Sequence, residues 1–311
     1  MVGPSMVDKV AKIWLDGELV DWDKAQVHLL THTLHYGFGV FEGIRCYELK
    51  TGGSGIFRLR EHLERLVDSA KILTLEMPYD VETLTEACLE TVRVNKLGSC
   101  YLRPIAFLGD AAMGLGAMNN PTRVAVVAWN WGAYLGEEGL KKGIRAKVSS
   151  FQRTGVNAQM AKSKAVGHYV NSILAKREAL TLGFDEAIML DAQGYVCEAS
   201  GENIFLLRQG KVVTPPLGIS ILGGITRETV LQLIADLGLP VEERLVSRDE
   251  LYIADEVFMC GTAAEVTPVR EVDGRQVGAG TRGPVTARVQ EAYFQAVSGE
   301  HARSAEWIAK V

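Results

Sequence analysis

The chain has 311 residues, of which 47% are hydrophobic and 23% charged. That composition belongs to a globular protein with a packed core and excludes a largely disordered chain; the length suits about two domains. The net charge of −5, from 33 basic and 38 acidic residues, supplies neither a basic footprint for nucleic acid nor a polybasic patch for an anionic membrane.

Uncharged stretches such as 212–226, which holds two prolines and three glycines, fall short of the about 20 apolar residues of a membrane helix. Residues 1–14 carry charges where a signal peptide needs an apolar centre. Cys46, Cys88, Cys100, Cys197 and Cys260 are widely spaced, odd in number and form no CxxC pair. They read as reduced, mostly buried thiols of a cytoplasmic protein. Glycine, at 32 residues, exceeds its usual share of about 7%. It lets backbone approach a ligand closely, which favours an enzyme.

In chain order, 13–15 and 18–20 read as a hairpin around Asp16-Gly17. A glycine-rich stretch from His35 to Tyr47 ends in a strand. Residues 60–73 predict a helix, with Leu63, Leu66, Val67, Ala70 and Leu73 at helical spacing. Residues 81–96 predict a second, with Asp80 as N-cap and Gly98 just past its end. Strands follow at 101–107 and 124–129, so 1–131 make a mixed α/β domain. Gly132, Gly136 and Gly139 mark 132–139 as an interdomain linker. Beyond it, 144–148 alternates as a strand and 165–182 reads as a helix closed by Gly183. Strands at 186–190, 194–197, 203–207 and 211–214 are joined by tight turns. Thr226 caps a helix running to Leu237; 257–260 is a strand ending in a glycine turn; 284–297 is the last helix. Strand and helix do not alternate regularly across 140–311. That argues against a doubly wound sheet and leaves an α+β fold or a barrel-like sheet with helices outside.

Several clusters carry chemistry. His28, His32 and His35 are spaced i, i+4, i+7, and three histidines on one helix face can hold zinc. The segment is short and glycine-broken, however, and no fourth ligand stands at a fitting spacing. Gly223-Gly224-Ile225-Thr226 leads into a helix start whose amides and dipole suit an anion, although an ordinary capped helix reads the same way. Small residues after Cys260, from Gly261 to Ala264, can cradle a carboxylate or phosphate or simply make a tight strand-to-helix turn. Lys164 stands at the entry of the 165–182 helix, and such a lysine can form a Schiff base; Tyr169 lies five residues on. Glu198, in a segment of apolar and small residues, needs a cationic partner if buried, and a pyridinium nitrogen is one. Together these are the requirements of pyridoxal phosphate: a Schiff-base lysine, a pyridinium partner and a phosphate cup.

The same residues lie in blocks that run nearly end to end: His35-Tyr36-Gly37, Phe41-Glu42-Gly43-Ile44-Arg45-Cys46-Tyr47, Tyr101-Leu102-Arg103-Pro104, Trp131-Gly132-Ala133-Tyr134-Leu135-Gly136, Glu198 with Gly201-Glu202-Asn203, Gly224-Ile225-Thr226-Arg227, and Asp255 to Glu265. In these blocks the chain resembles the branched-chain amino acid aminotransferases, pyridoxal 5′-phosphate (PLP) enzymes of fold type IV. The resemblance implies an α+β protein with a small α/β domain and a larger pseudo-barrel domain, PLP lying between them. Lys164 would be the Schiff-base lysine, in a Lys-Ala-x-Gly-x-Tyr pattern that Lys162 does not satisfy. Tyr169 would bond the cofactor's phenolic oxygen and Glu198 its pyridine nitrogen. Arg65, the amides of Ile225 and Thr226, and Thr262 would hold the phosphate. The Thr262 and Ala263 amides would take the substrate α-carboxylate. Tyr36, Arg103 and Tyr134 would receive the side-chain carboxylate of glutamate, and Phe41, Trp131 and Tyr134 would shape the apolar pocket.

The reaction implied is transamination between leucine, isoleucine or valine and 2-oxoglutarate, through the Lys164 Schiff base and a 1,3-proton shift. No metal, nucleic acid or membrane is expected. The family assembles as dimers or hexamers, with the 109–116 loop reaching the neighbour's site. The chain departs from the family pattern at 157–163, which lacks a proline-bearing stretch, and at Val166 and His168, where smaller or amide residues are usual. Neither departure removes a catalytic group. Competing readings are D-amino acid or (R)-amine aminotransferases and aminodeoxychorismate lyase within the same fold, a metal hydrolase on the three histidines, and a catalytically dead PLP-binding scaffold. The Phe41–Tyr47 and Tyr101–Pro104 blocks favour the branched-chain enzyme, and intact Lys164, Tyr169 and Glu198 argue against the scaffold.

Overall fold

The computed structural model describes residues 7–132 and 135–311. They form two compact units. One takes the chain up to Gly132 together with Ser163–Gly167 and Ala296–Val311; the other takes the chain from there to Lys162 and then His168–Gln295. The segments 163–167 and 296–311, expected in the second domain, therefore belong to the first unit. The reason is backbone pairing that no local pattern announces.

In the first unit the alternating strands build one sheet. Its order is Ile308–Lys310, Ser54–Phe57, Ile44–Glu48, Cys100–Leu108, Thr122–Trp129, Lys12–Leu15 and Glu18–Asp21, with Gly39–Phe41 also pairing on Cys100–Leu108. Two helices, Leu59–Ile72 and Val81–Val94, bury their apolar stripes on it. Leu63 and Leu66 of the first and Leu84 and Val92 of the second join Ile44, Ile56, Leu102 and Val126 in the core. Asp80 caps the second helix as the sequence predicts, its carboxylate accepting the Thr83 amide at 2.8 Å. The C-terminal strand pairs antiparallel with Ser54–Phe57.

The segment 163–167 is tied into the first unit by its backbone. Lys164 N–H donates to Ser69 Oγ at 3.0 Å, Val40 and Ala165 form an antiparallel bridge, and Gly167 N–H donates to Gly37 O at 3.1 Å. These contacts correct the helix expected at 165–182. Val166–His168 is a 3-10 turn, and the α-helix runs only over Tyr169–Thr181. Backbone groups given to Val40 and Gly37 are not available to a first helical turn.

The second unit holds a mixed sheet ordered Val196–Ala199, Glu186–Leu190, Ile144–Val148, Glu265–Val272, Glu256–Gly261, Asn203–Arg208, Lys211–Thr214 and Val241–Glu243, with Arg275–Gln276 on Glu265–Val272. Ile144–Val148 runs parallel to both of its neighbours, and Lys211–Thr214 runs parallel to Val241–Glu243. Ile188, Ile204, Leu206, Met259 and Val269 form its core, and Phe205 stacks on Phe258 with ring centroids 5.0 Å apart. The helices Tyr169–Thr181 and Ile225–Asp236, and residues 284–295 of the helix Pro284–Ser298, belong to this unit. The stretch read as a linker contains the start of a helix, Gly136–Lys142. The five cysteines are free thiols and buried. Among the described residues no helix is long and apolar enough to cross a membrane.

Candidate active site

In the first unit Lys164 is fixed at both ends of its backbone: its N–H goes to Ser69 Oγ, and its carbonyl accepts the Phe41 N–H at 3.1 Å. Its Nζ lies 5.3 Å from the centre of the Phe41 ring. Ser69 sits on helix Leu59–Ile72 together with His62 and Arg65, at spacings of three and four residues that put all three on one face. Arg65 donates from Nε and Nη2 to the two oxygens of Glu42, at 2.7 and 2.9 Å, and His62 Nδ1 lies 2.7 Å from Glu42 Oε2. Burial works to raise the Glu42 carboxyl, but the charge of Arg65 and the hydrogen bonds from Arg65 and His62 outweigh it and hold the group well below the usual carboxylate range. Burial pushes the His62 imidazole down against the pull of Glu42. An ionised carboxylate only accepts, so Nδ1 carries the ring proton.

Arg103 lies in an aromatic setting. Its guanidinium carbon is 4.6 Å from the Phe41 ring centre, 5.5 Å from Tyr101 and 5.7 Å from Trp129. Its buried Nε has no hydrogen-bond partner among the described residues. Trp131 meets Tyr101 edge-on at 4.5 Å. Gly43 makes room for this group, because a Cβ there would stand 1.8 Å from the Tyr101 hydroxyl. Phe41, Arg103, Trp131 and Lys164 are thus linked through the Phe41 and Tyr101 rings. Tyr36, on the short helix His32–Tyr36, packs against His32 at 4.5 Å. Tyr134 lies outside the described residues.

The histidines go separate ways. His28 Nδ1 accepts the Leu30 N–H, while His32 Nε2 and His35 Nε2 bond the carbonyls of Gly114 and Leu29. No group of three metal-ligating side chains occurs among the described residues.

In the second unit Glu198 is 7% exposed. Its Oε1 pairs with Arg153 Nη2 at 2.7 Å; its Oε2 accepts Asn203 Nδ2 at 3.3 Å and the Leu222 N–H at 3.1 Å. The cationic partner that its burial demands is therefore present within the protein. Asn203 also donates to Leu222 O at 3.1 Å, and its Oδ1 lies 2.0 Å from where a Gly224 Cβ would stand. A side chain there would push the Asn203 amide from its place beside Glu198 and Leu222. Gly224, not Thr226, is the N-cap of helix Ile225–Asp236, and no side chain caps it. The amides of Ile225 and Thr226 are thus first-turn donors without intrahelical acceptors. Asn203 is also in register with Cys260 across two strands. Thr262 and Ala263 follow in the turn of a hairpin, closed by Gly261 opposite Glu265 with Glu265 at φ +55°. This replaces the expected strand-to-helix turn, since Glu265 begins a second strand. Glu198, the helix start and the 262–263 turn are in this way joined around Asn203. Tyr169 opens the helix Tyr169–Thr181.

Sequence reasoning assigned no role to Glu42, His62, Ser69, Tyr101, Trp129, Arg153 or Asn203. Glu42, Tyr101 and Asn203 lie inside the recognised blocks, and period-two spacing puts Tyr101 on the face of Arg103. Arg153 stands in an irregular stretch with no signal of its own.

The sequence model of the family described as amino-transferase class IV matches residues 39–272. This chain is a class IV aminotransferase. It is 52% identical over 303 residues to a branched-chain-amino-acid aminotransferase of Pseudomonas aeruginosa, covering 97% of this chain and 98% of that protein. It is 48% identical over 307 residues to the one of Escherichia coli, with coverage of 97% and 98%. Among solved structures, the E. coli branched-chain amino acid aminotransferase aligns with a TM-score of 0.94 at 47% identity, covering 97% of this chain and 99% of that one. A branched-chain amino acid aminotransferase of T.th. with pyridoxamine 5′-phosphate aligns at 0.94 and 48% identity, with the same coverage. The mixed α+β architecture expected from sequence is the fold of this class IV aminotransferase.

Proposed function

We propose that this chain transfers the amino group between L-leucine, L-isoleucine or L-valine and 2-oxoglutarate, with PLP as its cofactor. Full-length identity of about half to branched-chain aminotransferases supports the substrates. The single observation that carries the dual specificity is Arg103, a guanidinium laid over the faces of Phe41, Tyr101 and Trp129, with no partner for its Nε among the described residues. Aromatic faces suit a branched aliphatic side chain, and an arginine suits the second carboxylate of glutamate.

The residues present fit PLP. Glu198 is a buried carboxylate held for a ring nitrogen, the uncapped helix start at Gly224 offers amides to a phosphate, and Lys164 is a lysine with a fixed backbone. When bound, PLP supplies an electron sink for the pair left behind when the substrate Cα–H bond breaks. Lys164 would hold the cofactor through its Nζ. Its amine, once freed by substrate, would be the base that takes the proton from the substrate Cα and carries it. Glu198 keeps a proton on the ring nitrogen. Tyr169 bonds the phenolic oxygen. Arg65, the Ile225 and Thr226 amides, and Thr262 hold the phosphate, and the Thr262 and Ala263 amides bind the α-carboxylate. Tyr36, Arg103 and Tyr134 take the glutamate carboxylate, while Phe41, Trp131 and Tyr134 line the apolar pocket. We also assign 1–131, together with 163–167 and 296–311, and the remainder of 140–311 as two domains with 132–139 as the passage between them, a cytoplasmic location, and a homo-oligomer, dimer or hexamer, whose 109–116 loop reaches the neighbouring site.

The test is the visible spectrum of the PLP-loaded enzyme during addition of L-leucine. Bleaching of the yellow band, reversed by 2-oxoglutarate, is expected. A yellow band that ignores L-leucine overturns the substrate assignment, and a protein that stays colourless with PLP overturns the cofactor.

A further inference from the structure

Three carboxylates of the second unit lie buried near one another in sequence: Glu186, Glu198 and Glu202. Glu186 is paired with Lys176 and also accepts Ser200 Oγ at 2.6 Å. Glu202 is pushed up by burial and by the charges of Glu186 and Glu198, against the pull of Lys176. Glu198 has the guanidinium of Arg153, whose side chain is 10% exposed against 9% for its partner. Arg153 is itself anchored on two other sides: its N–H donates to Leu190 O at 2.8 Å, and its Nε reaches Ser220 O at 3.4 Å. Lys162 spends its ammonium on the carbonyls of Leu217 and Ile221.

We infer that Arg153 is a positioning residue for Glu198: its ion pair keeps that carboxylate ionised and aimed, so that the proton of the pair stays on the cofactor's ring nitrogen. The inference rests on the reading that Glu198 faces that nitrogen. A proton held between two bases stays on the more basic one, and a guanidinium in contact lowers the proton affinity of a carboxylate. Among buried acids competing for protons in a low dielectric, the one in contact with arginine is the one that stays charged. Asn203 and the Leu222 amide fix Oε2, so Arg153 acts through Oε1.

The experiment reads the ring directly. Apoprotein is loaded with PLP carrying a 15N label in the pyridine ring, and the nitrogen chemical shift is recorded for the parent chain, Arg153→Lys, Arg153→Gln and Glu198→Gln. The PLP dissociation constant of each apoprotein is measured alongside. The parent and Arg153→Lys, which keep the charge, should show a protonated ring. Arg153→Gln should move toward the neutral-pyridine shift and bind PLP about tenfold more weakly, one pKa unit of lost interaction. An unmoved ring shift in Arg153→Gln overturns the inference. Should Arg153→Gln not fold, Arg153→Met, of similar length and uncharged, is read in its place, and a ring shift that stays at the parent value there overturns the inference. If Glu198→Gln leaves the ring shift unmoved, the Glu198 assignment itself falls. If Glu198→Gln moves the shift and Arg153→Gln does not, only the role of Arg153 falls.

Discussion

Glu42 closes both of its oxygens on Arg65, at 2.7 Å to Nε and 2.9 Å to Nη2, while having no exposed surface of its own. His62 adds a third bond at 2.7 Å. The arrangement joins the strand-side Phe41-Glu42 segment to helix Leu59–Ile72 and sets the orientation of the arginine proposed for the phosphate. Removing one partner of a buried pair leaves the other uncompensated, a cost of about 3–5 kcal/mol. Glu42→Gln should lower the stability of the apoprotein by that order in urea unfolding and weaken PLP binding. A change below about 1 kcal/mol, the scale of an exposed pair, would show that the clamp does not organise this region.

Arg103→Ala should discriminate between the two substrates. Loss of a charge-assisted bond to the glutamate side chain costs about 1.5–3 kcal/mol, or about 10- to 100-fold in kcat/KM for 2-oxoglutarate. Leucine, which meets only the aromatic faces, should lose much less. Equal losses in the two half-reactions would remove Arg103 from side-chain recognition.

Two lysines stand two residues apart, and the structure treats them differently. Lys162 donates to Leu217 O and Ile221 O at 2.6 and 2.8 Å, and burial pushes its ammonium down while Glu198 pulls it up. Lys164 has its backbone pinned by Ser69 and Phe41. Borohydride reduction of the PLP-loaded enzyme followed by peptide mapping should place the cofactor on Lys164. Label on Lys162 would refute the assignment.

Glu202 makes stability depend on pH in an uncommon direction. Its folded carboxyl is pushed up to about 8 from an ordinary 4.5, by burial and then by Glu186. Between those values the folded chain binds a proton that the unfolded chain has released, so stability falls as pH rises through this window. Glu202→Gln lacks this titration and keeps an acceptor for the Gly201 N–H, which lies 3.1 Å from Glu202 Oε2. The variant should gain on the parent by up to about 1.4 kcal/mol per pH unit between these limits. Urea unfolding at pH 5, 6.5 and 8 measures this, and parallel curves for the two proteins would contradict it.

Local pattern determined much of this protein. The helices Leu59–Ile72 and Val81–Val94 follow from apolar spacing and the Asp80 cap, because those forces act within a few residues of each other. Ordered sequence blocks pointed to the family, and with it to Lys164, Glu198 and Arg103. Tertiary structure alone decided which groups face them. Glu42 and Arg65 are 23 residues apart in the chain, and Arg153 meets Glu198 only because Arg153 N–H pairs with Leu190 O while Glu198 is in register with Met189 on the adjacent strand. The helix start at Gly224 and the late start at Tyr169 were decided the same way, by Asn203 filling the space beside one and Gly37 and Val40 claiming the backbone before the other. Sheet register and strand order set these meetings, and neither leaves a periodic mark in the sequence on the residues it brings together.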